Sequence, residues 1–262
     1  MKVNASMKNK LFAALAVAVA AFLPASAAQS DAARMGSEMM NPTGSIGITE
    51  KSKSGDFKIL FYGNSITSHV PSPGLGWTNN CGMAASSKEK DFVHLVIADM
   101  EKRLKKKADF RIRNLAPFER NYTTNVASVA EIVADAAWKP DYLVIALGEN
   151  APNVNEENME AYTKFLVDLA SPFAGRGKKT KIVMRSPFWA NPKKAACTEK
   201  AAKEVGAAYV DAGPLGRVPE NKALGLFEHK GVASHPGDLG MRRLADLVLS
   251  GIDSLEKPRK RH

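Results

Sequence analysis

From Asp56 onward the chain alternates short apolar runs with longer amphipathic stretches, and this alternation limits its fold more than any other feature. Short apolar runs suit strands buried on both faces, and the amphipathic stretches between them suit helices crossing from one strand to the next. The strand candidates cover 57–62, 110–115, 142–147, 181–185 and 207–210. Helix candidates, with apolar residues three or four apart, cover about 89–107, 124–137, 155–170, 192–205 and 238–254. The pattern predicts an α/β protein, a three-layer α/β/α sandwich around a five-stranded parallel sheet. In such a sheet, side chains that do chemistry gather where strands end at their carboxyl side.

The chain ahead of this domain reads differently. Lys2, Lys8 and Lys10 precede an apolar run from Leu11 to Leu23, followed by Pro24 and Ala25-Ser26-Ala27. Residues 1–27 therefore read as a signal peptide cut near Ala27, since the run is short for a bilayer span and ends at small residues. Export to a periplasm or the exterior is expected, without stable membrane insertion after cleavage; an uncleaved anchor is the competing reading. Residues 28–55, polar and without apolar periodicity, read as a linker or N-terminal arm, 56–255 as one domain and 256–262 as a basic tail.

The formal charge of +10 does not argue for nucleic acid. Three lysines fall in the leader and four basic residues in the last six, which leaves +3 for the body. The run Lys102-Arg103-Leu104-Lys105-Lys106-Lys107 belongs to a helix whose apolar side carries Val96, Ile97, Met100 and Leu104, so it reads as a solvated face. No aromatics interleave with it, and no nucleic-acid partner is expected. Cys81 and Cys197 are the two cysteines of the chain, and unpaired thiols are the default. No Cys/His spacing suggests a metal site, and no cofactor is expected.

The polar residues at the strand ends admit two readings each. Ser65, in Gly63-Asn64-Ser65 after the first strand, is a helix cap or a nucleophile whose own N–H faces a developing oxyanion. Asn150, in Gly148-Glu149-Asn150 after the third strand, is a turn residue or an amide donor. His235, in Ser234-His235-Pro236-Gly237-Asp238, stands before the last helix as a structural imidazole or as the base for Ser65. Glu119 follows the second strand. Trp77, in the long connection after Ser65, and Trp189, after the fourth strand, are buried packing or platforms for a sugar ring. His69 and His94 read as structural, and His229 as part of a substrate wall.

Taken in order, Gly63-Asn64-Ser65, Gly148-Glu149-Asn150 and His235-Pro236 resemble three sequence blocks of the SGNH, or GDSL-like, hydrolase family, with similarity over roughly 57–254. The resemblance implies a flavodoxin-like hydrolase fold and a serine esterase. Ser65 would be its nucleophile and His235 its base, with an oxyanion hole made by Ser65 N–H, Glu119 N–H and Asn150. Asn64, Trp77 and Trp189 would contact the substrate, a small-molecule or polysaccharide ester. Two departures stand out. Val232 occupies the position three residues before the histidine where the family carries its triad aspartate, and Glu119 stands where the family has a glycine. Glu119 would orient His235 in place of the aspartate or contact a substrate hydroxyl, against a salt bridge to Arg113 or Arg120. Failing that, Ser65 and His235 would form a dyad with the imidazole oriented by a backbone carbonyl or a water. The alternative function is a carbohydrate-binding or assembly protein on a hydrolase fold without activity.

Overall fold

The computed structural model describes residues 47–123, 126–174 and 180–256. Residues 1–27, read as a signal peptide, most of the arm, and the tail after Glu256 lie outside the described residues. Six strands form one sheet: β1 (Ile48–Lys51), β2 (Phe57–Gly63), β3 (Ala108–Asn114), β4 (Tyr142–Ala146), β5 (Lys181–Arg185) and β6 (Ala208–Val210). Their order is β1-β3-β2-β4-β5-β6. The last five are parallel and correspond to the five expected strands, within two residues at each end.

β1 lies within 28–55, the stretch read as a linker or N-terminal arm, and joins its end to the sheet. It pairs antiparallel with β3, Ile48 opposite Arg113 and Lys51 opposite Arg111, across a register irregularity. An edge strand needs little apolar content, because only part of each side chain is covered; the residues of β1 are half-buried or exposed. β1 is tied down by His94, whose imidazole bonds Asp91 through Nδ1 at 2.8 Å and Glu50 through Nε2 at 3.3 Å. Burial opposes a charge on His94, but the bonds to both carboxylates outweigh it and lift its pKa to about 9.

The helices are α1 (Phe92–Leu104), α2 (Ala116–Arg120), α3 (Ala130–Ala137), α4 (Met159–Ala170), α5 (Pro192–Val205), α6 (Gly213–Gly216), α7 (Lys230–Ala233) and α8 (Asp238–Glu256). Local chemistry sets their ends. Asp91 caps α1 by accepting from His94 N, and Asn191 caps α5 by accepting from Lys194 N, with Pro192 at the first turn and Gly206 left-handed at the end. α1 and α8 cover one face of the sheet, their Phe92, Val96, Met241, Leu244 and Val248 packing with Ile59, Phe61 and Val144. On the other face Ile132, Tyr162, Phe165, Leu166 and Ala201 of α3, α4 and α5 pack with Leu60, Tyr62 and Ile145. Cys81 lies in the first core and Cys197 in the second, both as free thiols, so the sheet itself separates them. The basic side chains Lys102, Arg103, Lys105, Lys106 and Lys107 are exposed.

Strand order reverses between β2 and β4, which opens a crevice beyond their carboxyl ends. Ser65 follows β2, α2 follows β3, and Asn150 follows β4, so three connections meet there. Among the described residues no helix is long and apolar enough to cross a membrane. Nor do three or more His, Cys, Asp or Glu side chains there gather as a metal site.

Candidate active site

β2 ends at Gly63 because the chain must turn tightly against Thr67: a Cβ at Gly63 would lie 1.8 Å from Thr67 Oγ1. The N–H groups of Thr67 and Ser68 then donate to Asn64 O at 2.9 and 3.0 Å, closing a turn that leaves Ser65 half-buried at the crevice. Met83 N donates to Ser65 O at 2.8 Å and pins the turn from the long connection. The Ser65 N–H meets no acceptor among the described residues, so it is free to receive an anion.

His235 reaches this turn from the segment after α7. Its Nε2 lies 2.9 Å from Ser65 Oγ, and its Nδ1 lies 2.7 Å from the carbonyl oxygen of Gly231. A carbonyl only accepts, so Nδ1 carries the hydrogen and Nε2 presents its lone pair to Ser65. Val232 is buried in the apolar core and takes no part. Trp189 stands edge-on to the imidazole, centroids 4.9 Å apart at 88°, and is fixed by its Nε1–H donating to Ser234 O at 3.2 Å.

Burial pushes the His235 pKa down to about 4, further than the bond to Gly231 O can raise it. A base works in its neutral form, so His235 is competent above that value. The contribution of His235 to the acid limb of kcat/KM is therefore expected near pH 4 rather than near the 6.5 of a free imidazole. A pH–rate profile on an activated ester checks it; a limb at 6 or above would contradict this environment.

Glu119 departs from both catalytic roles expected of it. Its carboxylate is wholly buried and turns away from His235. Oε1 accepts from the N–H groups of Gly148 and Asn150, the latter at 2.9 Å. Oε2 accepts from Asn150 Nδ2 at 3.0 Å and Asn64 Nδ2 at 3.2 Å. Its own N–H is spent inside α2, donating to Leu115 O at 3.0 Å, so it is no oxyanion donor. Nor does it pair with arginine: Arg113 bonds Asp135 through Nε and, at 2.9 Å, through Nη2. The cause is the helical turn at Ala116–Arg120, which rotates the side chain toward the β4 connection.

Glu119 thereby fixes the Asn150 amide. With one Nδ2 hydrogen on Glu119, the other has no acceptor among the described residues, so of the three groups expected as oxyanion donors Ser65 N–H and Asn150 Nδ2 keep a free hydrogen. Gly148 permits this loop: its φ is +124°, and a Cβ there would meet Pro187 Cγ at 2.5 Å.

Asn64, expected at the substrate, is instead fully buried and donates to Glu149 Oε2 at 2.7 Å as well as to Glu119. An asparagine, unlike an aspartate, can bridge two carboxylates as donor. Glu149 accepts from Arg185 Nη2 at 2.8 Å and Phe188 N at 2.9 Å. Burial raises Glu149, but Arg185 and these donors outweigh it and hold it below the usual carboxylate range. Glu119 lies above that range, through burial first and the neighbouring Glu149 second. Trp77 is likewise no platform: it is 1% exposed, packs on Phe227 and donates to His69 O at 3.2 Å. Its neighbours in sequence look exposed, but the bridges Ser72 to Trp77 and His69 to Cys81 fold the loop inward.

No family model matches the sequence, and no curated protein matches it. Solved structures do align. A lipase from a goat rumen metagenome is 12% identical, with a TM-score of 0.49, covering 75% of this chain and 97% of its own. A salicylyl-acyltransferase from a tetracycline biosynthetic pathway is 15% identical at a TM-score of 0.48, covering 81% of this chain and 59% of its own. A family two carbohydrate esterase from Cellvibrio japonicus is 18% identical at a TM-score of 0.43, covering 77% and 63%. With identities this low, function is argued from the site's own residues.

Proposed function

We propose that the chain is a serine esterase of the SGNH type, working through a Ser65–His235 dyad on a small acyl ester. The observation that carries this reading is the 2.9 Å separation of Ser65 Oγ and His235 Nε2, with Nδ1 occupied by Gly231 O. Ser65 Oγ attacks the ester carbonyl carbon as Nε2 takes the hydroxyl proton. The oxyanion that forms is held by Ser65 N–H and Asn150 Nδ2. Collapse breaks the bond to the alkoxide oxygen, which takes the proton back from Nε2. Water then attacks the acyl-serine as His235 accepts its proton; the second collapse breaks the acyl bond to Ser65 Oγ, which takes that proton from Nε2, and the carboxylic acid leaves.

The leader at 1–27 supports action outside the cytoplasm, and Trp189 beside His235 offers an aromatic edge to a sugar. An O-acylated carbohydrate is accordingly the substrate class proposed. Val232 would favour an inactive binding protein only if nothing oriented His235, and Gly231 O supplies that orientation. Incubation with a fluorophosphonate tests the reading: stoichiometric labelling at Ser65 by peptide mass is expected. Unlabelled, folded protein would overturn it.

A further inference from the structure

Arg120 is a cation at the end of α2, a helix beside the crevice, and nothing among the described residues neutralises it by contact. It closes α2, and α2 is anchored on both sides of the site. On one side Leu115 N donates to Gly63 O at 2.6 Å and Asn114 Nδ2 to Ser68 O at 2.8 Å, which fastens the helix to the nucleophile turn. On the other, Glu119 grips Asn150. Arg120 thus stands between the nucleophile turn and the oxyanion amide. The residue is half-buried and has no hydrogen-bond or ion-pair partner among the described residues. The adjacent Glu119 is close enough to be felt electrostatically, but its oxygens are filled by four N–H donors. Partial burial lowers the Arg120 pKa, and no contact among the described residues offsets that cost; a carboxylate would.

We infer that Arg120 binds a carboxylate carried by the ester substrate, and so makes the enzyme selective for acidic esters. Guanidinium presents a planar fork of donors that fits a carboxylate side-on, a match lysine does not reproduce. The charge balance favours a monoanion. His69 feels Arg120: burial first, and Arg120 more weakly, lower its pKa against the bond to Val70 O. One guanidinium matches the charge of one carboxylate and half that of a phosphate dianion.

The carboxylate can belong to the acyl group or to the alcohol, for example a uronate, and two substrate pairs separate these. Mono-p-nitrophenyl succinate is compared with p-nitrophenyl acetate, and O-acetylated methyl glucuronoside with O-acetylated methyl glucoside. For the pair that matches, the acidic-to-neutral ratio of kcat/KM is expected to fall about 10- to 100-fold in Arg120→Gln, mainly through KM, and to recover partly in Arg120→Lys. Ratios that stay unchanged in both pairs overturn the inference.

The inference rests on the esterase reading, so a measurement without turnover accompanies it. Isothermal titration of succinate and of methyl glucuronoside into wild type and Arg120→Gln is expected to give binding that the substitution weakens about tenfold or more. Equal binding, or none to either protein, overturns the assignment. Failure of the esterase reading would look different: no ester turned over by the wild type, with Arg120-dependent carboxylate binding intact.

Discussion

Ser65→Ala and His235→Ala are each expected to lower kcat on an activated ester by about a thousand-fold or more, and the double variant to be no slower than the slower single. The two act as a unit: without Nε2 at 2.9 Å the hydroxyl keeps its proton, and without the hydroxyl the imidazole has nothing to activate. The expected loss sits at the low end of what full triads lose, because the wild type already lacks one contribution. An aspartate beside a catalytic imidazole both sets the tautomer and stabilises the imidazolium. Gly231 O does the first and, being a neutral dipole, does little of the second. Steady-state kinetics of the three variants, with circular dichroism to confirm folding, check this. Losses that multiply in the double variant would mean that the two side chains act separately.

Glu119→Gln is expected to cost about 10- to 100-fold in kcat although Glu119 touches no reacting atom. All four of its contacts are donors: Gly148 N, Asn150 N, Asn150 Nδ2 and Asn64 Nδ2. A glutamine in the same place must turn its NH2 toward two of them. Donor then faces donor, and the conflict is relieved by rotation of the Asn150 amide out of the oxyanion position. The same change is expected to lower the melting temperature by several degrees, since buried polar groups lose their partners. The acid limb of the pH–rate profile separates positioning from acid catalysis. As a positioning residue for Asn150, Glu119 leaves the limb near 4 in place; as a partner of His235 it would move it.

The parallel strands were legible because burial on both faces leaves near-continuous apolar runs such as Ile59-Leu60-Phe61-Tyr62, all within 1% of full burial. β1 was not, because half-covered edge residues such as Thr49 and Glu50 look like linker. In the candidate site, Ser65, Asn150 and His235 could be picked out because each stands at a strand or helix junction, and junction position survives in one dimension. Direction does not. Asn64, Glu119 and Trp77 stand beside site residues in the chain, yet their side chains point into the protein interior, a matter of local turn geometry. Glu149 lies inside Gly148-Glu149-Asn150, where the available signal is an acidic and an amide side chain in succession after one glycine. The role of Gly231 left no trace in residue type, because a carbonyl is common to every position.

That last point reaches beyond recognition. Where a carboxylate orients the histidine, the orienting group is one residue's identity, can be protonated by acid, and is deleted by a single substitution. Here it belongs to the conformation of the segment His229–His235, held by His235 N on Val232 O at 2.9 Å and Ala233 N on His229 O at 3.0 Å. It has no proton to gain, so the orienting group adds no ionisation of its own to the acid side of the activity profile. It is also mechanical: whatever loosens this short turn, by heat, denaturant or a bound partner, disarms the base while every reacting side chain is still present.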